Sequence, residues 1–151
     1  MLRDDINNAV KEAMKARDER KLSTLRMVNS TIKNADIEAR GNGKPPLSDA
    51  DLLGVLQKMI KQRQEAAELY EKGGRAELVA QERDEIAVIS AYLPKQMSDD
   101  DVKAAIAAAV AETGAAGMKD MGKVVGILKG KYAGQMDFGK ASGLVKAALS
   151  G

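Results

Sequence analysis

The segment from Ala91 to Val102 constrains the fold more than any other part of the sequence, because it separates two stretches of helical pattern. Pro94 has no backbone N–H and disfavours helical geometry in the residue before it, so we predict that Leu93 closes the preceding helix. Ser98 and the three aspartates after it are typical of a helix N-terminus. There a side-chain oxygen accepts a hydrogen bond from a backbone amide that has no partner within the helix, and acidic groups interact favourably with the positive end of the helix dipole. The segment is therefore predicted to be a hinge or a domain boundary.

Apolar residues on both sides of this segment recur at three- and four-residue spacing, which is the pattern of amphipathic helices. We predict an all-α fold in which an N-terminal four-helix antiparallel bundle, residues 1–93, is joined by the proline hinge to a C-terminal three-helix domain, residues 94–151. The first expected helix ends near Arg17, the second spans Glu19 to Ala39, the third follows the Ser48 cap for about 24 residues, and the fourth spans Arg75 to Leu93. The last three helices begin at the caps Ser98, Asp120 and Asp137.

The residue types that are missing exclude several kinds of chemistry. The sequence contains no histidine and no cysteine, which removes the usual general base, the common nucleophile couples and the preferred zinc ligands. It has no phosphate-binding glycine loop and no carboxylate cluster at metal-ligand spacing. We therefore predict no catalytic residue, no metal site and no cofactor. Without cysteine, and without an apolar run of about 20 residues, we expect a cytoplasmic protein with no membrane partner.

Two charged residues occupy positions that the helical periodicity assigns to the apolar side of a helix. At about 100° per residue, Arg63 lies within the apolar stripe of the third predicted helix and Glu82 within that of the fourth. Both are at similar distances from the Gly73-Gly74 turn. We predict a partly buried Arg63–Glu82 ion pair, because an unpaired buried charge would be strongly destabilising. The pair either fixes the register of the two helices or forms a functional Arg–Glu site.

Glycines recur every four residues in the last two predicted helices, on the side opposite the apolar residues. They are Gly122, Gly126 and Gly130, then Gly139 and Gly143. The region around them carries six lysines against two aspartates, a local net charge of +4, from Lys119, Lys123, Lys129, Lys131, Lys140 and Lys146 against Asp120 and Asp137. Each glycine inside a helix costs about 1 kcal/mol relative to alanine. The glycines either let a partner approach the backbone, with lysines placed for phosphates, or let the two helices pack tightly, or have drifted without function.

Four stretches of the sequence resemble the GatB/YqeY family, and the resemblance extends over essentially the whole chain. They are Thr24-Leu25-Arg26, Lys58 to Arg63, Tyr92-Leu93-Pro94 and Asp120 to Gly126. The resemblance implies an all-helical, two-part protein. The same unit is similar to the C-terminal region of the B subunit of the tRNA-dependent Asp/Glu amidotransferase, where it acts as a tail that holds tRNA.

The resemblance implies a non-catalytic tRNA-binding or accessory module, because the kinase-like cradle and the amidase subunit of the amidotransferase have no counterpart in this sequence. Stand-alone members are grouped by kinship with carbon–nitrogen ligases that use glutamine as amido-N-donor, and an autonomous enzyme is the least favoured hypothesis. Contact with tRNA is carried over onto Lys119, Gly122, Lys123 and Gly126, and the lysine pattern adds Lys129, Lys131, Lys140, Gly143 and Lys146. The expected partners are tRNA and a protein of the tRNA-aminoacylation or amidation machinery. The alternative is a helical protein-interaction module that docks through its glycine faces.

Overall fold

The computed structural model describes residues 2–150, and within that range the chain consists of helices, turns and irregular segments. The helices are α1 (Leu2–Ala16), α2 (Glu19–Gly41), α3 (Asp49–Lys72), α4 (Ala76–Ser90), α5 (Asp99–Thr113), α6 (Met121–Tyr132) and α7 (Phe138–Ser150), and a 3-10 turn, Met118–Asp120, precedes α6. The predicted all-α class is confirmed for the described residues. Packing divides the chain into two compact units, of which the first ends at Leu93 and the second begins at Pro94.

Capping side chains set where two of the helices begin. The Ser48 hydroxyl accepts the amide of Asp51 at 3.2 Å, and the Asp51 carboxylate accepts the amide of Ser48, also at 3.2 Å. This capping box satisfies two amides that the helix leaves without partners, and α3 then runs for 24 residues as predicted. At the start of α5, the Ser98 hydroxyl accepts the amide of Asp101 at 3.1 Å. That helix ends at Thr113, and the next residue, Gly114, has a φ of 64°, which favours glycine.

The fourth helix ends at Ser90, three residues before the predicted position at Leu93. Pro94 has no N–H to donate to the Ser90 carbonyl, which would be the next bond of an α-helix. That carbonyl instead accepts the amide of Leu93, and the Ile89 carbonyl accepts the amide of Tyr92, both at 3.1 Å. The proline therefore acts through a tightened last turn and not only on its nearest neighbour. A hinge motion at this point stays a prediction.

The first unit is built around an aliphatic core to which all four of its helices contribute. The fully buried large side chains are Ile6 from α1, Leu25 and Val28 from α2, Leu52 and Leu56 from α3, and Ile89 from α4. Thr24 is also buried, and its hydroxyl donates to the carbonyl of Arg20 at 2.9 Å. Among the described residues, no buried side-chain nitrogen or oxygen lacks a hydrogen-bond partner.

An ionic clip fastens the loop between α2 and α3. Arg3 donates through Nη2 to the Asp36 carboxylate at 2.9 Å and to the Leu47 carbonyl at 2.7 Å. Asp36 also accepts the amide of Leu47 at 3.0 Å. The Arg3 guanidinium, and then the Leu47 amide, hold the pKa of Asp36 below its ordinary value. The clip therefore ties α1, α2 and the end of the loop together.

Arg63 forms a partly buried ion pair, but with Glu85 and not with Glu82. Its Nε donates to the Glu85 carboxylate at 3.0 Å, and both side chains are only 12% exposed. The predicted partner, Glu82, lies one turn too early in the fourth helix. Side chains lean toward the N-terminus of their own helix, so Arg63 leans away from the interhelical turn and Glu85 leans toward it. The two side chains therefore meet although Glu85 is farther from the turn than the spacing of Arg63 alone suggests. The other guanidinium nitrogens bind the Met59 carbonyl at 3.0 Å and the Met27 sulfur at 2.7 Å. The guanidinium is thus engaged by α2, α3 and α4, which favours a structural role.

The second unit has its own aliphatic core between α5, α6 and α7. Its buried side chains are Val102, Ala105, Ile106 and Ala109 from α5, Val124 and Leu128 from α6, Met136 from the following loop, and Ala141 and Val145 from α7. The residues just before α5 are fastened to the loop after α6. The Met97 amide donates to the Gln135 carbonyl at 2.9 Å, and the Gln96 side-chain amide donates to the Gly134 carbonyl at 2.6 Å.

Asp120 stands directly before α6, but it does not cap that helix as predicted. Its carboxylate turns back and accepts the amide of Ala116 at 3.1 Å. The 3-10 turn that ends at Asp120 explains the difference, because the residue does not have the extended backbone that a capping residue normally adopts. Asp137 does cap α7, and its carboxylate accepts the amides of Gly139 at 2.9 Å and Lys140 at 3.3 Å.

Candidate nucleic-acid interface

The sixth helix exposes the three glycines that the sequence places opposite its apolar side. Val124 and Leu128 are fully buried, whereas Gly122, Gly126 and Gly130 are exposed. A Cβ added at any of the three glycines would meet no atom within 4 Å. These glycines therefore do not serve close packing of α6 against α7. We call this surface, together with Lys123 and Lys129, the α6 face.

The seventh helix repeats the arrangement. Gly139 and Gly143 are exposed, and a Cβ added at Gly143 would meet no atom within 4 Å. At Gly139 the added atom would lie 3.2 Å from Asp137 Oδ1, which belongs to the carboxylate that caps the helix. The two glycines with Lys140 and Lys146 form the α7 face, and neither glycine touches a neighbouring helix.

The lysines of the two faces differ in how far their charge is compensated. Lys123 is 73% exposed, with its Nζ 3.9 Å from an Asp120 oxygen, and the Nζ of Lys140 is 3.4 Å from an oxygen of Asp99. Lys129 and Lys146 are exposed, and no carboxylate within residues 2–150 lies at ion-pair distance from either. The exposed Lys119, in the turn before α6, is likewise unpaired in that range. The uncompensated positive charge is therefore concentrated on three of the six candidate lysines.

Lys131 lies apart from the α6 face. Its Nζ donates to the Glu112 carboxylate of α5 at 2.9 Å, and this hydrogen bond raises the pKa of Lys131. The side chain thus lies on the flank of α6 that faces α5. The structure brings Lys123 and Lys129 together with the glycines, and it leaves Lys131 to an ion pair within the unit.

The two faces belong to a repeated segment, which is the main feature that periodicity arguments missed. Asp120 to Gly130 reads Asp-Met-Gly-Lys-Val-Val-Gly-Ile-Leu-Lys-Gly, and Asp137 to Ala147 reads Asp-Phe-Gly-Lys-Ala-Ser-Gly-Leu-Val-Lys-Ala. Five of the eleven positions are identical, and the first apolar residue, the two later apolar residues and the last small residue correspond in type. Aligning the sequence with itself would have found it. From the third position to the eleventh, buried, half-buried and exposed residues follow the same order in both copies.

Other parts of the described chain offer less to a ligand. An open depression of about 520 Å³ beside the α3–α4 turn contains Arg83 and Asp84, but these charges are paired with Glu71 and Arg20. No group of three or more acidic side chains within residues 2–150 is placed to hold a metal ion. No helix in that range is long and apolar enough to span a bilayer.

Comparison with known proteins gives one family and a set of fungal relatives. The sequence profile of the family described as "Yqey-like protein" matches residues 3–149. The chain is 37% identical over 84 residues to the Eremothecium gossypii protein named "Altered inheritance of mitochondria protein 41, mitochondrial", a match that covers 56% of this chain and 44% of that protein. It is 33% identical over 94 residues to an uncharacterized protein of Schizosaccharomyces pombe, covering 62% of this chain and 73% of the relative. The chain thus spans less than half of the mitochondrially named relatives that it matches.

Proposed function

The chain belongs to the Yqey-like protein family, and we propose that it is a non-catalytic tRNA-binding or accessory module related to the tRNA-holding tail of the glutamine-dependent tRNA amidotransferases. The observation that carries this proposal is the pair of exposed, lysine-flanked glycine faces on α6 and α7, where a Cβ at Gly126 or Gly143 would meet no protein atom. The kinship with carbon–nitrogen ligases is one of common descent, and the proposed function involves no catalytic residue.

Phosphates are the chemical group that these faces suit best. A lysine ammonium is a compact cation that attracts phosphate without demanding one geometry. Glycines between the lysines leave room for a sugar–phosphate backbone to approach the helix, since no side chain stands in the way. The aromatic residues nearby, Tyr132 and Phe138, are half-buried and pack against the core of the second unit. Binding would therefore rest on backbone phosphates and not on stacked bases.

The test is the binding of total cytosolic tRNA to the full chain at several salt concentrations, a probe chosen because we propose a cytoplasmic location. The test variant replaces Lys119, Lys123, Lys140 and Lys146 by serine. Its control replaces four exposed lysines of the first unit, Lys11, Lys15, Lys33 and Lys44, and so removes the same charge. We expect tight binding that weakens steeply with salt, unchanged slopes in the control, and a slope lower by about 3 in the test variant, at roughly 0.7 to 0.9 for each phosphate contact.

The contradicting results are equally definite. No binding of tRNA by the unmodified chain at low salt would reject the proposal. Equal losses in the test variant and in its charge-matched control would show that only net charge matters and that the two faces are not the binding surface.

A second candidate is a protein-interaction module that docks through the same glycine faces, and the open space above Gly122, Gly126 and Gly143 supports it. A helix of a partner, for which we would look first among aminoacylation and amidation enzymes, could approach closely where side chains are missing. Salt distinguishes the two candidates, because phosphate contacts release counterions whereas packed helix faces do not. Partner binding that is insensitive to salt would favour this second candidate.

A further inference from the structure

We infer that α6 and α7 are two equivalent phosphate-binding elements, and that one RNA molecule is held by both at once. The inference rests on the proposed function and adds the number of elements, the ranking of the lysines within each, and the part of the RNA that they contact. Its basis is the repeated segment, in which Lys123 corresponds to Lys140 and Lys129 corresponds to Lys146.

The equivalence extends from sequence to surface. Within each copy, the residues at the fifth and ninth positions are buried, while the two glycines and the two lysines are exposed. The two helices therefore expose the same positions of the repeat to solvent. The two helices thus offer two equivalent lysines, beside two equivalent glycines, to one kind of ligand.

The equivalence also extends to electrostatics. The first lysine of each face has an aspartate oxygen nearby, Asp120 at 3.9 Å from Lys123 and Asp99 at 3.4 Å from Lys140. The second lysine of each face has no carboxylate at ion-pair distance within residues 2–150. A cation that already has an anionic neighbour gains less from a phosphate. The second lysines, Lys129 and Lys146, are therefore the stronger phosphate ligands of the pair.

The chemistry of the faces favours an RNA backbone over a protein. Helix docking between proteins buries large apolar side chains at the centre of the interface. Among the described residues of the second unit, Met118 is the one large apolar side chain that is well exposed, and it lies outside both faces. The faces present glycine and lysine, which complement a uniformly charged backbone.

The experiment compares two double variants of the full chain, Lys123→Ser/Lys129→Ser on α6 and Lys140→Ser/Lys146→Ser on α7, in their binding of total cytosolic tRNA. The charge-matched control is Lys11→Ser/Lys15→Ser on α1, where both lysines are exposed. Each face variant is expected to lower the slope of log affinity against log salt by about 1.4 to 1.8, while the control leaves it unchanged. In the variant with all four changes, the affinity for tRNA is expected to fall by the product of the two factors by which it falls in the double variants.

Single variants test the ranking within each face. Lys129→Ser and Lys146→Ser are expected to weaken binding by more than Lys123→Ser and Lys140→Ser. Asp99→Asn, which removes the carboxylate beside Lys140, is expected to strengthen binding and to do so only while Lys140 is present.

The outcomes separate the inference from the proposed function. If tRNA binds and one double variant abolishes the salt dependence while the other has no effect, the two elements are not equivalent and the inference is overturned, although the proposed function stands. If the unmodified chain does not bind tRNA, or binds an acidic protein through the same lysines instead, both are overturned.

Discussion

Replacing Gly126 by alanine is expected to stabilise the protein, although the residue lies in the middle of a helix and within the candidate interface. Glycine in a helix interior is less favourable than alanine by about 1 kcal/mol, because its backbone loses more freedom on folding. A steric penalty would offset this gain only if the new methyl group met another atom. At Gly126 a Cβ would meet nothing within 4 Å. The expected gain is therefore the whole difference in propensity, about 1 kcal/mol.

The same substitution at Gly114 provides the matched control with the opposite sign. Gly114 follows the last residue of α5 with φ at +64°, a conformation in which the Cβ of an L-residue is crowded by its own backbone. Its surroundings are equally open, so the two substitutions differ in backbone conformation and not in space. We expect Gly114→Ala to lose about 1 to 2 kcal/mol. The two variants should therefore lie on opposite sides of the unmodified protein.

The measurement is urea unfolding of the full chain followed by far-ultraviolet circular dichroism, with the midpoints compared at unchanged slope. A destabilised Gly126→Ala variant would refute the reasoning, since it would mean that something covers the α6 face in solution. Adding Gly126→Leu connects stability to function, because leucine is also a good helix former but projects well beyond the helix surface. We expect this variant to be at least as stable as the unmodified chain and to bind tRNA less tightly.

Three further predictions concern the fold. Arg63→Met is expected to lose about 3 kcal/mol in urea unfolding, because it leaves the 12%-exposed Glu85 without its cation. A loss below about 1 kcal/mol would contradict a buried Arg63–Glu85 ion pair. The pKa of Asp36 is lowered in the folded state, so its carboxylate contributes stability above pH 3.8, its ordinary pKa, and that stability is lost as the pH falls below this value. Asp36→Asn should therefore make acid unfolding less steep in that range, and an unchanged profile would count against the clip. Asp137→Ala is expected to lose about 1 kcal/mol in urea unfolding, because its carboxylate caps α7, and an unchanged midpoint would contradict the cap.

Glu82 shows why a pH experiment on Arg63→Met would be informative. Burial, and then the neighbouring Glu85, raise the pKa of Glu82, while Arg63 acts in the opposite direction. A carboxylate whose pKa is raised by folding lowers the stability as the pH rises from its unfolded value toward its folded one. Removal of Arg63 takes away the opposing charge. The variant should therefore recover part of its stability under mildly acidic conditions, more than the unmodified protein does.

Local signals in the sequence predict much of this fold because the interactions behind them are local. Ser48 with Asp51 marks the start of α3, since a hydroxyl and an amide three residues apart meet as soon as the helix forms. The glycines of α6 project away from its buried side because the helical period alone fixes that relation. The class of fold follows from the same periodicity.

The features that the sequence misplaced depend on geometry beyond one turn. Asp120 and Asp137 begin the same repeated segment, yet only the second caps its helix, because the chain enters α6 through a 3-10 turn. The partner of Arg63 depends on how two helices are offset along their common axis, which spacing from a turn does not give. The compensation of Lys140 by Asp99 joins residues 41 positions apart and could not be read from either helix.

The repeated segment also has a consequence in terms of descent. A short stretch that occurs twice in one chain is the pattern that internal duplication leaves, and duplicated copies can diverge separately. The first copy ends in Gly130, whereas the second has Ala147 at the same position. Divergence at that position would be tolerated if the preceding glycines and lysines suffice for contact. Lineages in which one copy has decayed and the other is intact would then be expected to retain a weaker hold on the same ligand.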